Sequence, residues 1–510
     1  MNLCLQRARL PVSKIIRINE LDNVAVALSP IAAHETVSYG QISVTALQDI
    51  PQGHKIALED IGANDTVIKY GYPIGSATES IAKGAHVHTH NIRTNLAADL
   101  TYSYHPVKEE KIAEQTPDQV RSFWGYERED GRVGIRNELW IVPTVGCVNA
   151  VAKAIAEKSA ELIGDTVDAV IPYAHPYGCS QMGEDQEHTR KALSDLVKHP
   201  NAGGVLVLGL GCENCNLQVI KPYLGTYDTN RIRFLSCQDV EDEVEAGVKI
   251  LAELAAICKT DKRTEQPLKK LVIGLKCGGS DGLSGITANP VVGAFSDRFI
   301  AAGGSTILTE VPEMFGAETI LMNRAVDESV FQKTVSLIND FKGYFRANGE
   351  TISENPSPGN KEGGISTLED KALGCTQKSG CAPVVDVLRY GERVHEGTGL
   401  YLLEAPGNDL VASTALALSG AQLVLFTTGR GTPFASPVPT MKISTNEALA
   451  RRKSHWIDFD CGRMLTEEIT KEALTDELCR SVLAVANGER VKSEQAGYAD
   501  LAIWKQGVTL

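Results

Sequence analysis

Glu138-Leu-Trp-Ile-Val-Pro-Thr-Val-Gly-Cys147, running on through Val148-Asn149 into Ala150-Val-Ala-Lys-Ala-Ile-Ala-Glu-Lys-Ser-Ala-Glu-Leu-Ile163, holds the fold in miniature. Leu139–Val145 is apolar without alternation, as in a strand covered on both faces. Ala150–Ile163 repeats its apolar residues at helical spacing. The same strand signal recurs at Ala169–Tyr173, Val205–Leu208, Arg233–Leu235, Leu271–Leu275 and Thr306–Leu308. Helical patterns such as Glu241–Cys258 separate most of them. Strand and helix in alternation predict an α/β protein with a doubly wound parallel sheet.

Upstream, short apolar runs at Val24–Leu28, Val44–Leu47 and Val67–Tyr70 alternate with Gly, Pro and Asp breaks, which predicts a small β domain over 14–97. A polar stretch with Pro106 and Pro117 reads as a linker over 98–122. Charged residues from Lys259 to Lys270 divide the remainder into 123–262 and 263–510. Within the last segment, Asn355-Pro-Ser-Pro-Gly-Asn-Lys361 lies in a long Pro/Gly loop. Further strands are expected at Val384–Leu388, Tyr401–Glu404 and Leu423–Phe426.

Composition narrows the function classes. A formal charge of −14 argues against a nucleic-acid binder but leaves room for a small anion held by a few Arg or Lys. No apolar run reaches the roughly 18–20 residues of a membrane span, and no secretory leader is read, so a cytoplasmic enzyme is expected. In that setting the 12 cysteines should be catalytic, metal-binding or buried rather than paired. A G-x-x-x-x-G-K-[ST] loop is missing from the sequence.

Ligands of open parallel sheets bind beyond the carboxyl ends of the strands. Cys147, Cys179, Cys212 and Cys277 each follow a predicted strand, most of them beside glycine. Thiolates there suit iron, iron–sulfur clusters or zinc, although the plainer reading of any one is a small buried hydrophobe. Strand alternation would turn His86, His88 and His90 to one side, where they could serve as metal ligands or a base. Their plainer reading is a polar strand edge facing water. Arg136 with Asn137, Lys361, and Arg430 between two glycines are anion-binding candidates, each otherwise a solvated charge.

These stretches resemble a known family. Gly53-His-Lys, Val67-Ile-Lys-Tyr-Gly, His86-Val-His-Thr-His-Asn, Gly134-Ile-Arg-Asn-Glu-Leu-Trp, Pro143-Thr-Val-Gly-Cys-Val-Asn, Tyr177-Gly-Cys-Ser-Gln, Gly209-Leu-Gly-Cys-Glu-Asn, Cys277-Gly-Gly-Ser-Asp-Gly, Asn355-Pro-Ser-Pro-Gly-Asn-Lys and Phe426-Thr-Thr-Gly-Arg-Gly-Thr-Pro occur in order as in the altronate/galactarate dehydratases. The resemblance implies a SAF (β-clip) domain followed by two parallel-sheet α/β domains. It implies dehydration of D-altronate to 2-dehydro-3-deoxy-D-gluconate in hexuronate breakdown, and dependence on Fe2+, with Mn2+ as a substitute. The triple-histidine run favours the altronate branch over the galactarate branch.

Dehydrating a 2,3-dihydroxy acid removes the weakly acidic C2 proton and expels a poor leaving group from C3, so a metal and a base are both expected. His88 or His90 is the expected base or a metal ligand. Arg136, Asn137, Lys361 and Arg430 are expected to hold the sugar acid. The metal is either a single ion on His and carboxylate ligands or an iron–sulfur centre on Cys147, Cys179, Cys212 and Cys277. Two other classes stay open: a thiol redox enzyme using Cys212 and Cys215, and a sugar-acid sensor. A homo-oligomer is left open.

Overall fold

The computed structural model describes residues 13–96, 101–107, 121–352, 355–395, 397–467 and 469–507. Its N-terminal unit is antiparallel. Strands Ile15–Ile16, Val24–Ala27, Lys55–Ala57 and His86–Val87 form one sheet in that order. A hairpin (Thr36–Tyr39 with Ile42–Thr45) and a three-stranded sheet (Thr66–Lys69, Tyr72–Ala77, Ile92–Arg93) complete it. The short strands and tight turns that Gly and Asp punctuate are those expected of a SAF domain.

The rest is α/β, as expected, and is built on two parallel sheets. The smaller runs Val170–Pro172, Glu138–Pro143, Ala202–Gly209, Ile232–Ser236. Its central strand shows why the apolar run does not alternate. Leu139 and Ile141 pack under helices Asn149–Ile163 and Glu243–Cys258, while Trp140 and Val142 pack on the opposite face with Leu193 and Leu196 of helix Gly183–Val197. The larger sheet has seven parallel strands: Val384–Leu388, Gly399–Leu403, Ser305–Leu308, Val272–Cys277, Leu423–Thr428, Thr440–Ser444 and Phe459–Asp460. Between the sheets, Ser122–Glu127 pairs antiparallel with Val133–Gly134 and with Thr264–Pro267, so a strand forms inside the charged stretch expected to be a boundary. Strand Thr440–Ser444 escaped the sequence reading because its Thr, Lys and Ser read as polar, yet every residue is buried.

Part of the expected linker is packed. Within 101–107, the Tyr102 hydroxyl donates to Glu318 at 2.6 Å and the Tyr104 hydroxyl to the Ala325 carbonyl at 2.7 Å. Residues 98–100 and 108–120 lie outside the described residues, and Ser122 at the end of the stretch already begins a strand.

The joint between the small sheet and the large one contains a pH-sensitive contact. His199 is buried and donates from Nε2 to the Ala421 carbonyl at 3.1 Å, while its Nδ1 accepts the Asn201 N–H at 3.2 Å. Burial lowers its pKa from 6.5 to about 3. A depressed histidine stabilises the fold above the unfolded pKa and loses that contribution as pH falls from 6.5 toward 3. The unfolded chain then binds one more proton. The advantage of the wild type over His199→Gln is therefore expected to shrink by about 2 kcal/mol between pH 7 and pH 5. Urea unfolding of both proteins at the two pH values checks this, and an unchanged gap would refute it.

Candidate metal and substrate site

Three tight turns bring the SAF domain onto the seven-stranded sheet. A side chain at Gly282 would put its Cβ 1.9 Å from the Gly53 carbonyl oxygen, and one at Gly364, with φ +100°, would sit 2.4 Å from that same oxygen. Gly282 N–H donates to the Gly363 carbonyl at 2.7 Å, locking two of the turns together. Only glycine permits this approach. It places the residue after Gly53, His54, against the loop that follows helix Pro358–Glu362.

His54, His86 and His88 converge there. His54 and His88 ring centres are 4.8 Å apart and those of His54 and His86 5.0 Å. One nitrogen from each of the three rings lies within 4.8 Å of the others. The His86–Val87 strand is only two residues long, and His88 begins a turn closed by the Asn91 N–H bonding to the His88 carbonyl at 3.0 Å. The turn, rather than strand alternation, brings the His90 ring to 5.4 Å from His86.

The donor set fits a cation. His54 Nε2 can only donate to the Glu362 carbonyl, 3.1 Å away, which leaves the Nδ1 lone pair facing His86 Nε2 at 2.9 Å. His88 Nδ1 is held 3.1 Å from Ser366 Oγ. Such outer contacts set the tautomers of metal-binding imidazoles. Desolvation, reinforced by neighbouring positive groups, lowers His86 to about 4 and His88 to about 3, so both rings are neutral near pH 7.

Beneath the imidazoles is a buried ion network. Asp370 accepts from Lys55 at 2.8 Å and from Lys69 at 2.9 Å. Burial opposes its ionisation, but the two ammonium groups prevail and hold it well below the usual carboxylate range. Lys55 also donates to the Gly364 carbonyl at 2.8 Å, and burial pushes it down to about 8. At the rim, Arg430 meets Glu362 at 2.9 Å and the Gly359 carbonyl at 3.3 Å, and both charged side chains are exposed. Lys361 is exposed on the same short helix.

The other expected residues lie elsewhere. All five N–H groups of Arg136 are spent on Glu494 and the carbonyls of Ile135, Val485 and Glu489. Asn137 bonds the Cys258 carbonyl, Arg128 and Asp168. These two residues tie the chain together and are not substrate ligands. Cys277 ends a strand of the larger sheet, so the expected four-cysteine edge divides. Cys147, Cys179 and Cys212 stand on the smaller sheet and are exposed, whereas Cys277 is buried with its Sγ 3.4 Å from that of Cys375 and 2.9 Å from Glu313. Cys215 is buried, and burial raises it to about 12, which removes the second thiol from a Cys212–Cys215 redox pair. His54, Lys55 and Asp370 were missed as site residues. A single His beside Gly and Lys has no period to mark it, and Asp370 lies 315 residues from its partner Lys55.

A SAF domain that brings imidazoles against loops of a parallel-sheet domain defines the class: an α/β enzyme with side chains that could hold a metal ion where two domains meet. The chain belongs to the D-galactarate/altronate dehydratase family. It matches that family's SAF domain over 13–95, its second domain over 125–259 and its C-terminal domain over 268–509, and it is a carbon–oxygen lyase. It is 53% identical to the altronate dehydratase of Bacillus subtilis (strain 168), covering 98% of this chain and 100% of the relative. Identity to the altronate dehydratase of Escherichia coli (strain K12) is 52%, covering 97% and 99%. The galactarate dehydratase (L-threo-forming) of the same organism is 34% identical, covering 95% of each. Among the described residues, no helix is long and apolar enough to cross a membrane.

Proposed function

We propose that this chain converts D-altronate to 2-dehydro-3-deoxy-D-gluconate and water, with Fe2+, or Mn2+ in its place, held by His54, His86 and His88. The observation that carries the reading is the convergence of three neutral imidazoles beside exposed Arg430 and Lys361. The altronate dehydratases at 53% and 52% identity support the choice of substrate. When bound, the ion would supply Lewis acidity toward the carboxylate or the C3 hydroxyl.

The chain's own residues do the remainder. Arg430 exchanges Glu362 for the substrate carboxylate, and Lys361 adds a second positive charge at the rim. His90, exposed and outside the converging trio, takes the C2 proton. The electron pair forms the C2–C3 double bond as the C3–O bond breaks. The hydroxyl leaves as water after protonation, and the enol becomes the 2-keto acid.

The deciding experiment supplies purified protein and Fe2+ with D-altronate, galactarate and related acids, and measures 2-keto acid as its semicarbazone. Altronate should be turned over with the highest kcat/KM. Faster turnover of galactarate would move the assignment to the other branch, and tight altronate binding without product would indicate a sensor.

A further inference from the structure

Cys147, Cys179 and Cys212 have no part in this chemistry, yet they are the exposed members of the free cysteines, the others being buried or half-buried. Free cysteine ordinarily behaves as a buried hydrophobe, and these three depart from that together. Each lies in the loop that follows a strand of one sheet. Glu138–Pro143 lies between Val170–Pro172 and Ala202–Gly209, all parallel, so their carboxyl ends are neighbours about 4.8 Å apart.

The loops that follow are knitted into one surface. Gly146 N–H donates to the Tyr177 carbonyl at 2.9 Å, and Cys215 N–H to the Gly178 carbonyl at 3.0 Å. A side chain at Gly178, φ +104°, would put its Cβ 1.9 Å from the Thr144 carbonyl oxygen. Buried Glu213 accepts from Thr144 Oγ1 at 2.5 Å and from the N–H groups of Leu210 and Gly211, at 3.1 and 2.6 Å. Two polar side chains already address the sulfurs. Asn214 Oδ1 is 3.3 Å from Cys179 Sγ, and Gln238 Nε2 donates toward Cys212 Sγ at 3.6 Å. A carboxylate buried to hold thiol-bearing loops is what a preformed soft-metal site needs.

The spacing argues against a single ion. A single zinc with bonds of about 2.3 Å would draw its sulfurs to within roughly 3.8 Å of one another. The two places where three ligand atoms of the described residues lie within 4.8 Å are the imidazole cluster and Cys277–Glu313–Cys375, and this trio is not among them. Thiolates bound to separate irons of one cube stand further apart. We infer that Cys147, Cys179 and Cys212 ligate a four-iron, four-sulfide cluster at the carboxyl edge of the smaller sheet, its fourth iron free of any protein thiolate. Cys277 takes no part.

The test uses the full chain, purified anaerobically and reconstituted with ferrous iron and sulfide. Acid-labile sulfide should reach about four per chain and iron about five, four in the cluster and one on the imidazoles, with sulfide-to-iron charge-transfer absorption. Cys147→Ser, Cys179→Ser and Cys212→Ser should each lower bound sulfide at least severalfold. Cys215→Ser, Cys277→Ala and His88→Ala should retain it, which separates this centre from the imidazole site. Should a serine variant misfold, alkylation of wild type followed by mass spectrometry decides. Cys147, Cys179 and Cys212 should be protected after reconstitution and labelled before it. Iron uptake without sulfide, or labelling of the three thiols that reconstitution leaves unchanged, would overturn the inference.

Discussion

His88→Ala is expected to lose the one iron held by the imidazoles together with turnover of D-altronate, whereas His90→Ala should keep that iron and lose turnover alone. The two positions differ in what surrounds them. His88 is half-buried, its Nδ1 sits against Ser366, and its ring belongs to the trio whose nitrogens lie within 4.8 Å. Removing it takes one ligand from three, and the remaining two imidazoles hold a divalent ion poorly. His90 is exposed and adjacent. Losing a general base typically costs 10²–10⁴-fold, and for His90→Ala a fall in kcat on the order of 10³ with KM little changed is the expected result. Iron content after gel filtration, read beside kcat and KM, distinguishes the roles. Full iron in His88→Ala, or full kcat in His90→Ala, would reverse or remove the assignment.

Asp370→Asn should be the most damaging single change to the fold. The carboxylate is buried and answers two buried ammonium groups, Lys55 and Lys69 of the SAF domain, from a helix of the C-terminal domain. Removing one member of a buried ion network while leaving the opposite charge costs about 3–5 kcal/mol. The lysines of the variant must then shed protons to stay buried, so their folded pKa values fall below the unfolded 10.5. A lysine depressed in this way contributes stability above its unfolded pKa and loses it as pH falls. The loss in Asp370→Asn is therefore expected to be deeper at pH 6 than at pH 9. Urea unfolding at both values measures it. A variant within about 1 kcal/mol of wild type at pH 6 would show that the network does not hold the two domains together.

Much of the architecture was legible because it is local. Unbroken apolar runs such as Leu139–Val145 mark strands covered on both faces, and apolar spacing marks helix Asn149–Ile163 to within a residue. The glycine–cysteine turns after strands are short-range features as well. Thr440–Ser444 was not legible, because its burial comes from neighbours on both sides of the sheet and not from its own polar side chains.

The site divides along the same line. From sequence alone come the α/β class, the three-part order, the histidine run and the cysteines at strand ends, all carried by residues a few positions apart. Tertiary structure alone supplies His54 as the third imidazole, 32 residues from His86, and removes Arg136 by spending it on Glu494, 358 residues away. It also assigns Cys277 to a second sheet. A residue's period reports which face of its own element it occupies. Whether an Arg meets a substrate or a buried Glu is settled by what desolvates it, and that partner lies far along the chain.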